Sequence, residues 1–494
     1  MNKKFLLCLL LISIKCDTNS YDYSNYAAVS KNTDLSEQTL SSTTSDQSVV
    51  YITESGKTIT NSNINKESGD SSNTENSEFY GINAAILVNG GVLTITGGTI
   101  STSAKGANAL CTTNNGKVNI SGTKITSTAS SSARGLHATY GGEIKASNVE
   151  ISSTGGSCAN LATDRGEGTV TCDECTLSTA GAGSPLIYST GNITVSKTTG
   201  TATKAQAVVV EGKNTATVKE SSNLNCYGLP NAENNIDICG VMLYQSMSGD
   251  ADSGTSTFNC QSSTITIDSK SSVYDSAPMF FITNTDAMIN IDSCTFTYGS
   301  NIFLKAGGTS KWGSTGSNGG VVTLNLKNQN VVGNFVVDEY SGLTINLEKS
   351  SIQGTINSEK TGAKVVINID ESSTITLTGN SYYTSINNGK SDGSNIIKGS
   401  YSFDSYEEKD IERPSGNGGS NPPSGGSGNP PSGGSGNPPE PPSGGSGNPP
   451  GSSNEGNPTK SSSGNSTEES STNEAKGNKD FIKMILGLMI VLVL

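Results

Sequence analysis

Histidine, arginine and tryptophan are nearly missing from this 494-residue chain, and their scarcity excludes several classes of protein. The one histidine is His137, and the three arginines are Arg134, Arg165 and Arg413. Nucleic acids are bound by clustered lysine and arginine, and the net charge here is −13, so we exclude a nucleic-acid partner. A catalytic triad would need His137, and no nucleophile motif lies near it. We therefore interpret His137 as a surface residue and predict no catalytic residue, no metal site and no cofactor.

Large apolar side chains are also few, since aromatic residues make up 5% and charged residues 15% of the chain. Such a composition cannot fill a wide globular core. It suits a thin solenoid whose interior is one or two side chains across, and the 58 glycines are typical of its corners.

A repeat of 25 or 26 residues is the most informative feature present. Apolar-polar-apolar triplets recur at Leu93-Thr94-Ile95, Val118-Asn119-Ile120, Ile144-Lys145-Ala146 and Val170-Thr171-Cys172. A second apolar position follows each triplet, at Ile100, Ile125, Ile151 and Leu177. This alternation is the period of a strand, and a fixed repeat of this length indicates stacked units. We predict an all-β parallel β-helix of about a dozen coils over residues 50–405, preceded by a disordered Ser/Thr/Asn-rich segment at residues 17–49.

The two ends of the chain have the composition of targeting signals. Residues 1–16 are typical of a secretory signal peptide, with two lysines before a short apolar run. Residues 474–494 are typical of a GPI-attachment signal, for which Asn473 is the favoured lipid attachment site and Ser471 the runner-up. A short single-pass membrane anchor is the alternative. Between them, residues 406–473 hold twelve of the fifteen prolines and predict a Pro/Gly/Ser-rich stalk.

Eight of the ten cysteines fall in the predicted β-helix, and an even number in a secreted chain favours disulfides. Cys226 and Cys239 bracket an irregular loop, and a bridge between them is the first choice. Cys260 and Cys294 lie in adjacent coils and could join them. Cys172 and Cys175 are also disulfide candidates and align with core-facing columns; a metal-binding or redox role is the less favoured interpretation, because no second cysteine or histidine pair completes a zinc site.

Other candidate sites are polar. Three N-glycosylation sequons begin at Asn119, Asn192 and Asn465, and Asn119 should point outward from its strand. Two acidic segments, residues 163–167 and 249–252, could bind Ca²⁺ or act on a sugar. We interpret both segments as solvated turns.

Several segments carry a resemblance to a known family. The repeats of residues 81–212, the segment His137-Ala138-Thr139-Tyr140-Gly141-Gly142 and the segment 241–250 resemble adhesin-like surface proteins of microbes. The resemblance implies a right-handed, pectin-lyase-like β-helix and a surface role without a defined ligand. Pectate lyases and polygalacturonases share that fold, but their acidic and Arg/His catalytic motifs are not found in this sequence.

The leading functional hypothesis is a non-enzymatic display protein on the extracellular face of the cell membrane. It would contact a host or neighbouring cell surface, with glycans as candidate partners, and would be held on the membrane by its C-terminal lipid. The alternatives are a polysaccharide-acting lyase or hydrolase, which needs an acidic cluster outside the first strand of the coils, and a structural coat component. Rows of outward Ser, Thr, Asn and Lys, such as Thr94, Asn119, Lys145 and Thr171, would supply many weak contacts.

Overall fold

The computed structural model describes residues 19–231, 235–246 and 248–411, and these form a parallel β-helix. The repeat sets the register as predicted: Val118 pairs with Leu93 of the coil before it and with Ile144 of the coil after it. The second apolar column is equally regular, since Ile125 lies between Ile100 and Ile151. All the strand pairings among the described residues are parallel.

Each full coil contributes one strand to each of three sheets, named here in chain order. The first sheet stacks Ala28–Lys31, Ser48–Ile52, Ile86–Asn89, Leu110–Thr113, Leu136–Ala138, Leu161–Thr163, Ile187–Ser189, Val208–Glu211, Val241–Tyr244, Phe280–Thr283, Ile302–Ala306 and Asn334–Val337. Six of the twelve strands of this sheet are buried along their whole length, so in those coils the outer face is covered as well as the inner face.

The second and third sheets alternate buried and accessible residues. The second sheet stacks Leu35–Ser36, Lys57–Thr60, Val92–Thr96, Lys117–Ser121, Gly142–Ser147, Gly168–Asp173, Asn192–Ser196, Thr215–Lys219, Thr255–Gln261, Thr285–Asp292, Gly320–Lys327, Gly342–Glu348, Lys364–Ile369 and Ser385–Asn388. The third stacks Thr39–Ser42, Asn63–Lys66, Thr99–Thr102, Lys124–Ser127, Glu150–Ser153, Thr176–Thr179, Thr199–Ala202, Asn223–Cys226, Thr264–Ile267 and Thr295–Thr297. The second sheet therefore counts fourteen strands among the described residues, slightly more than the dozen coils predicted.

In the last coils the third side is rebuilt as a four-stranded sheet of Asn330–Val332, Ser351–Gly354, Thr374–Leu377 and Ile396–Ile397. A two-stranded sheet of Ser381–Tyr383 and Phe403–Ser405 continues the side of the first sheet, where Phe335 bridges Ile356 and the Tyr382 backbone N–H donates to the Ile356 carbonyl.

A single left-handed residue makes the bend between the second and third sheets in successive coils. Gly122, Asn148, Glu174 and Lys197 occupy this position, with φ of 62°, 51°, 56° and 46°. Glycine and asparagine tolerate this conformation best. Because the bend has the same form in these four coils, the side chains on both sides of it stay aligned across them.

The interior is one continuous apolar cluster built from the inward residues of all three sheets. Aliphatic side chains fill the first coils. In the later coils Phe258, Phe280, Phe303 and Phe335 stack with ring centroids 5.3–5.7 Å apart. Much of the small aromatic content is thus used where the coils are larger, and truncating such a ring to alanine costs about 3–5 kcal/mol.

A short helix, α1 (Thr74–Tyr80), is the one helical element of the described residues and was not predicted. The Asn73 side chain caps it by accepting a hydrogen bond from the Glu75 backbone N–H at 2.9 Å. Gly81, at φ 72°, ends it. Phe79 is buried, and the helix covers part of the outer face of the first sheet.

The prediction that residues 17–49 are disordered is wrong for the described part of that segment. Three strands there form a complete first coil, in which Leu35 lies over Ile59 and Leu40 over Ile64. The polar composition hid them, because only two large apolar side chains point inward. Lys66, fully buried, closes this coil: its ammonium donates to the carbonyl oxygens of Thr44 and, at 2.9 Å, of Gln47.

The predicted stalk begins later than residue 406. The Tyr406 hydroxyl donates to the Gly362 carbonyl at 2.6 Å, and the Lys409 backbone N–H donates to the Ala363 carbonyl at 2.9 Å. Residues 406–411 therefore pack against the β-helix. The predicted signal peptide, the rest of the stalk, Asn465, Asn473 and the C-terminal signal lie outside the described residues. Among the described residues, none of the helices is both long and apolar enough to cross a bilayer.

Candidate functional site

Two of the predicted cysteine pairs form disulfides. Cys260 and Cys294 join adjacent coils with their Cα atoms 6.4 Å apart, and Cys172 and Cys175 join across one bend at 6.1 Å. We call them the long-range and the short-range disulfide. Both sulfurs of the short-range disulfide lie in the interior, since Cys172 is 0% and Cys175 2% exposed. This burial favours a structural bond, in agreement with the core-facing interpretation.

The bridge predicted between Cys226 and Cys239 is wrong, because both are free thiols. Cys226 belongs to the interior, whereas Cys239 packs with Met242 and Phe281 on the outer face of the first sheet. The wall of the β-helix separates the two sulfurs. Sequence spacing indicated a short loop but carried no information on which side of the wall each residue lies.

Both described sequons are geometrically open to modification. Asn119 and Asn192 are exposed on the outer face of the second sheet. Glycosylation at these residues stays a prediction, as does glycosylation of Asn465.

The outer face of the first sheet holds a buried group of charges beneath helix α1. The Arg134 guanidinium lies 3.2 Å from the Asp164 carboxylate and 3.5 Å from that of Glu78, on α1. The backbone N–H of Arg165 donates to Asp164 at 3.0 Å, and its guanidinium lies 3.8 Å above the Phe79 ring. Two of the three arginines of the chain thus attach the helix to the sheet.

The interpretation of His137 as a surface residue is wrong. The side chain is fully buried, 3.9 Å from Asp164, and pairs in register with Cys111 of the preceding coil. Among the described residues, neither ring nitrogen finds a hydrogen-bond partner. Burial, with the nearby Arg134, holds the pKa of His137 well below its usual value, so the ring stays neutral.

The two acidic segments predicted to be solvated turns are in contact with each other. The Arg165 guanidinium bonds the Asp250 carboxylate at 3.2 Å, across 85 residues of sequence. Lys213 bridges Glu167 at 2.8 Å and Asp252 at 2.9 Å. Asp164 is not solvated at all, and burial raises the pKa of its carboxyl well above the usual range although Arg134 opposes the shift.

A third acid completes this face. Glu211 is buried and accepts hydrogen bonds from the hydroxyls of Tyr188, at 2.6 Å, and Tyr244, at 2.7 Å. Burial raises its pKa as well. Its carboxylate is thus held by two phenols on neighbouring coils, an arrangement that fixes the strands rather than presenting an acid to solvent.

The outer face of the second sheet carries a different arrangement, an asparagine ladder of five residues in consecutive coils. These are Asn259, Asn290, Asn325, Asn346 and Asn368, each in register with the next. Each amide nitrogen after Asn259 donates to the amide oxygen of the preceding coil, at 2.7–2.8 Å. The first member, Asn259, donates to the Thr217 hydroxyl at 3.1 Å.

The ladder lies along a groove of about 450 Å³. Its second wall is a row of longer polar side chains that includes Asp292, Lys327 and Glu348. Lys327 and Glu348 pair at 3.7 Å, and Asp292 accepts hydrogen bonds from its neighbours Ser293 and Asn328. These three charged residues therefore leave one acidic charge unbalanced on this wall.

The sequence contained the signal for the ladder. An asparagine between two apolar residues recurs in five strands, from Phe258-Asn259-Cys260 to Ile367-Asn368-Ile369. The predicted outward row of Thr94, Asn119, Lys145 and Thr171 is the N-terminal part of the same column, and its register is confirmed. The buried charges had no such signal, because their partners lie in segments that do not repeat.

Comparison with family models, with curated proteins and with solved structures finds no match to this chain.

Proposed function

We propose that this protein is a non-enzymatic, adhesin-like surface protein that attaches to glycans on a host or neighbouring cell. The observation that carries the proposal is the outward polar column of the second sheet, which continues in register from Thr94 to Asn368. Sugar hydroxyls both donate and accept hydrogen bonds, and amide and hydroxyl side chains do the same. Many weak contacts along one rigid surface add up to firm attachment.

The proposal includes the location of the protein. Secretion through residues 1–16, and replacement of the peptide bond after Asn473 by an amide to the lipid anchor with release of residues 474–494, would hold the β-helix on the extracellular face. Treatment of intact cells with phosphoinositide-specific phospholipase should release the protein into the medium. Retention on the cells would favour the single-pass anchor instead.

Adhesion itself is tested with cells that display the full chain and with cells that display a chain lacking residues 50–403. We expect at least tenfold fewer attached target cells after the deletion, and a similar loss when target cells are stripped of surface glycans. Equal adhesion by both chains would contradict the proposal.

One observation favours a polysaccharide-acting enzyme as the second candidate. Asp164, Glu211 and Asp250 gather outside the first sheet, where that hypothesis required acids. Against it, Asp164 and Glu211 are 2% and 1% exposed, and each is engaged by other side chains. Incubation of the purified protein with pectins and host glycans discriminates the two, because only the enzyme releases new reducing ends or unsaturated products.

A further inference from the structure

We propose that the asparagine ladder binds one extended, uncharged polysaccharide chain lengthwise, with one sugar for each coil. This inference rests on the proposed function and names the ligand class of that surface. It specifies that the polysaccharide lies along the stack of coils, that one sugar corresponds to one coil, and that the ligand is uncharged. Adhesion alone requires none of these three.

The first argument is the unused hydrogen-bonding capacity of the ladder. An asparagine amide has two N–H donors and an oxygen that accepts two hydrogen bonds. Within the ladder Asn290, Asn325 and Asn346 each spend one donor and one acceptor on their neighbours. Each of the three retains one donor and one acceptor for a ligand, and all are oriented alike because the ladder fixes the amide planes.

The second argument is spacing. Paired strands lie about 4.8 Å apart, so the retained donors and acceptors repeat at about that interval along the stack. An extended chain of β-linked hexoses advances by a closely similar distance for each sugar. Because adjacent sugars of a β-1,4-linked chain face opposite ways, every second sugar can make the same pair of hydrogen bonds with every second coil.

The third argument is charge and shape. Lys327 is paired with Glu348, so the groove offers no free cation among its described lining residues, and Asp292 remains negative. Its pKa lies below the usual value because Asn328 and Ser293 donate hydrogen bonds to the carboxylate. Acidic polysaccharides are repelled by such a wall. The described lining also contains no aromatic ring, so recognition depends on hydroxyl contacts along a chain rather than on stacking of a single sugar.

The test uses the purified full chain and neutral β-1,4-linked oligomers of glucose, N-acetylglucosamine and mannose, from two to eight sugars long. We expect affinity for the preferred series to rise by about fivefold for each added sugar on average, since a pair of hydrogen bonds forms at every second sugar and one net hydrogen bond is worth about that factor. The rise should stop at five or six sugars, where the ladder ends. Polygalacturonate and heparin should bind at least tenfold more weakly.

The variant Asn290→Thr/Asn325→Thr/Asn346→Thr should abolish this length dependence. Threonine occupies the same column at Thr171, Thr194 and Thr217, so the fold accepts it there. An unchanged melting temperature would confirm that the variant folds. The matched control is Asn223→Thr, an exposed asparagine on the third sheet, which should bind oligomers like the wild type.

The outcomes separate this inference from the proposed function. Adhesion that persists while no neutral oligomer binds, or while affinity is independent of length, overturns the lengthwise ligand and leaves adhesion standing. Preferential binding of an acidic polysaccharide, or full binding by the triple variant, also overturns it. If the wild-type chain neither supports adhesion nor binds any oligomer, both proposals are contradicted.

Discussion

Removal of Arg134 tests how helix α1 is held on the first sheet. The guanidinium is 10% exposed and faces Asp164, 3% exposed, at 3.2 Å and Glu78, 13% exposed, at 3.5 Å. In the variant Arg134→Met both carboxylates lose their cation while staying buried, and breaking a buried pair in this way costs about 3–5 kcal/mol. We expect a lower urea midpoint and much faster hydrogen exchange over residues 74–80.

The loss should depend on pH. Burial already raises the pKa of Asp164, and removing Arg134 removes the neighbour that opposes this shift. At low pH the carboxyl accepts a proton and is buried neutral, so the variant loses least there. Between the pKa of Asp164 in the wild type and its higher pKa in the variant, the folded variant holds a proton that the folded wild type has released. Over that interval the free energy of unfolding of the variant falls further below that of the wild type as pH rises, and the difference levels off above it.

Two controls make the result decisive. Lys124→Met breaks an exposed pair with Glu150, whose side chains are 56% and 54% exposed, and should cost less than about 1 kcal/mol. Adding Glu78→Gln and Asp164→Asn to Arg134→Met removes all three of these charges. The triple variant should regain more than half of the free energy of unfolding that Arg134→Met loses. If Arg134→Met costs no more than Lys124→Met, the buried charges do not hold the helix and the argument fails.

Three further results are expected. Replacing both cysteines of the long-range disulfide by alanine should lower the free energy of unfolding by about 4 kcal/mol, against about 2 kcal/mol for the short-range disulfide, because the long-range disulfide closes the longer loop. Equal urea midpoints for the two variants would contradict this. Alkylation followed by mass spectrometry should label the four free cysteines of residues 19–411 in the unfolded protein and none of them in the folded one, since all four are buried; rapid labelling of these residues in the native protein would refute that burial. Burial lowers the pKa of Lys66 to about 8, so above pH 8 the unfolded state binds one proton more than the folded state, and the free energy of unfolding should rise with pH until the lysine of the unfolded chain titrates. The slope of the free energy of unfolding against pH should exceed that of Lys66→Met by up to about 1.4 kcal/mol per pH unit, and identical slopes would exclude the effect.

The interior of the β-helix could be predicted because stacking repeats the same environment in each coil. Ile95, Ile120 and Ala146 occupy one column, so the alignment of their triplets is also the alignment of their strands. The first coil escaped prediction because backbone pairing and two leucines suffice to add a coil to an existing stack. A hydropathy pattern registers side chains, and most of that coil is held by main-chain hydrogen bonds.

The covered outer face of the first sheet could not be predicted from the repeat. Its contacts join Glu78, Arg134, Asp164 and Asp250, which come from a helix, two corners and a loop that occur once each. One clue was available in the composition. The chain contains only three arginines and one histidine, and three of these four residues lie around Asp164.

The return of residues 406–411 along the coils has a mechanical consequence. A pull on the C-terminal side would be met first by the contacts of Tyr406 and Lys409, which would be loaded one after another, as in peeling, and would yield at low force. The last coils would follow in sequence, each releasing contour length at roughly 3.5 Å per residue. At Cys294 the load would pass through the covalent bridge to Cys260, so the intervening coil would be spared extension. Under a pulling force the molecule would therefore lengthen in steps.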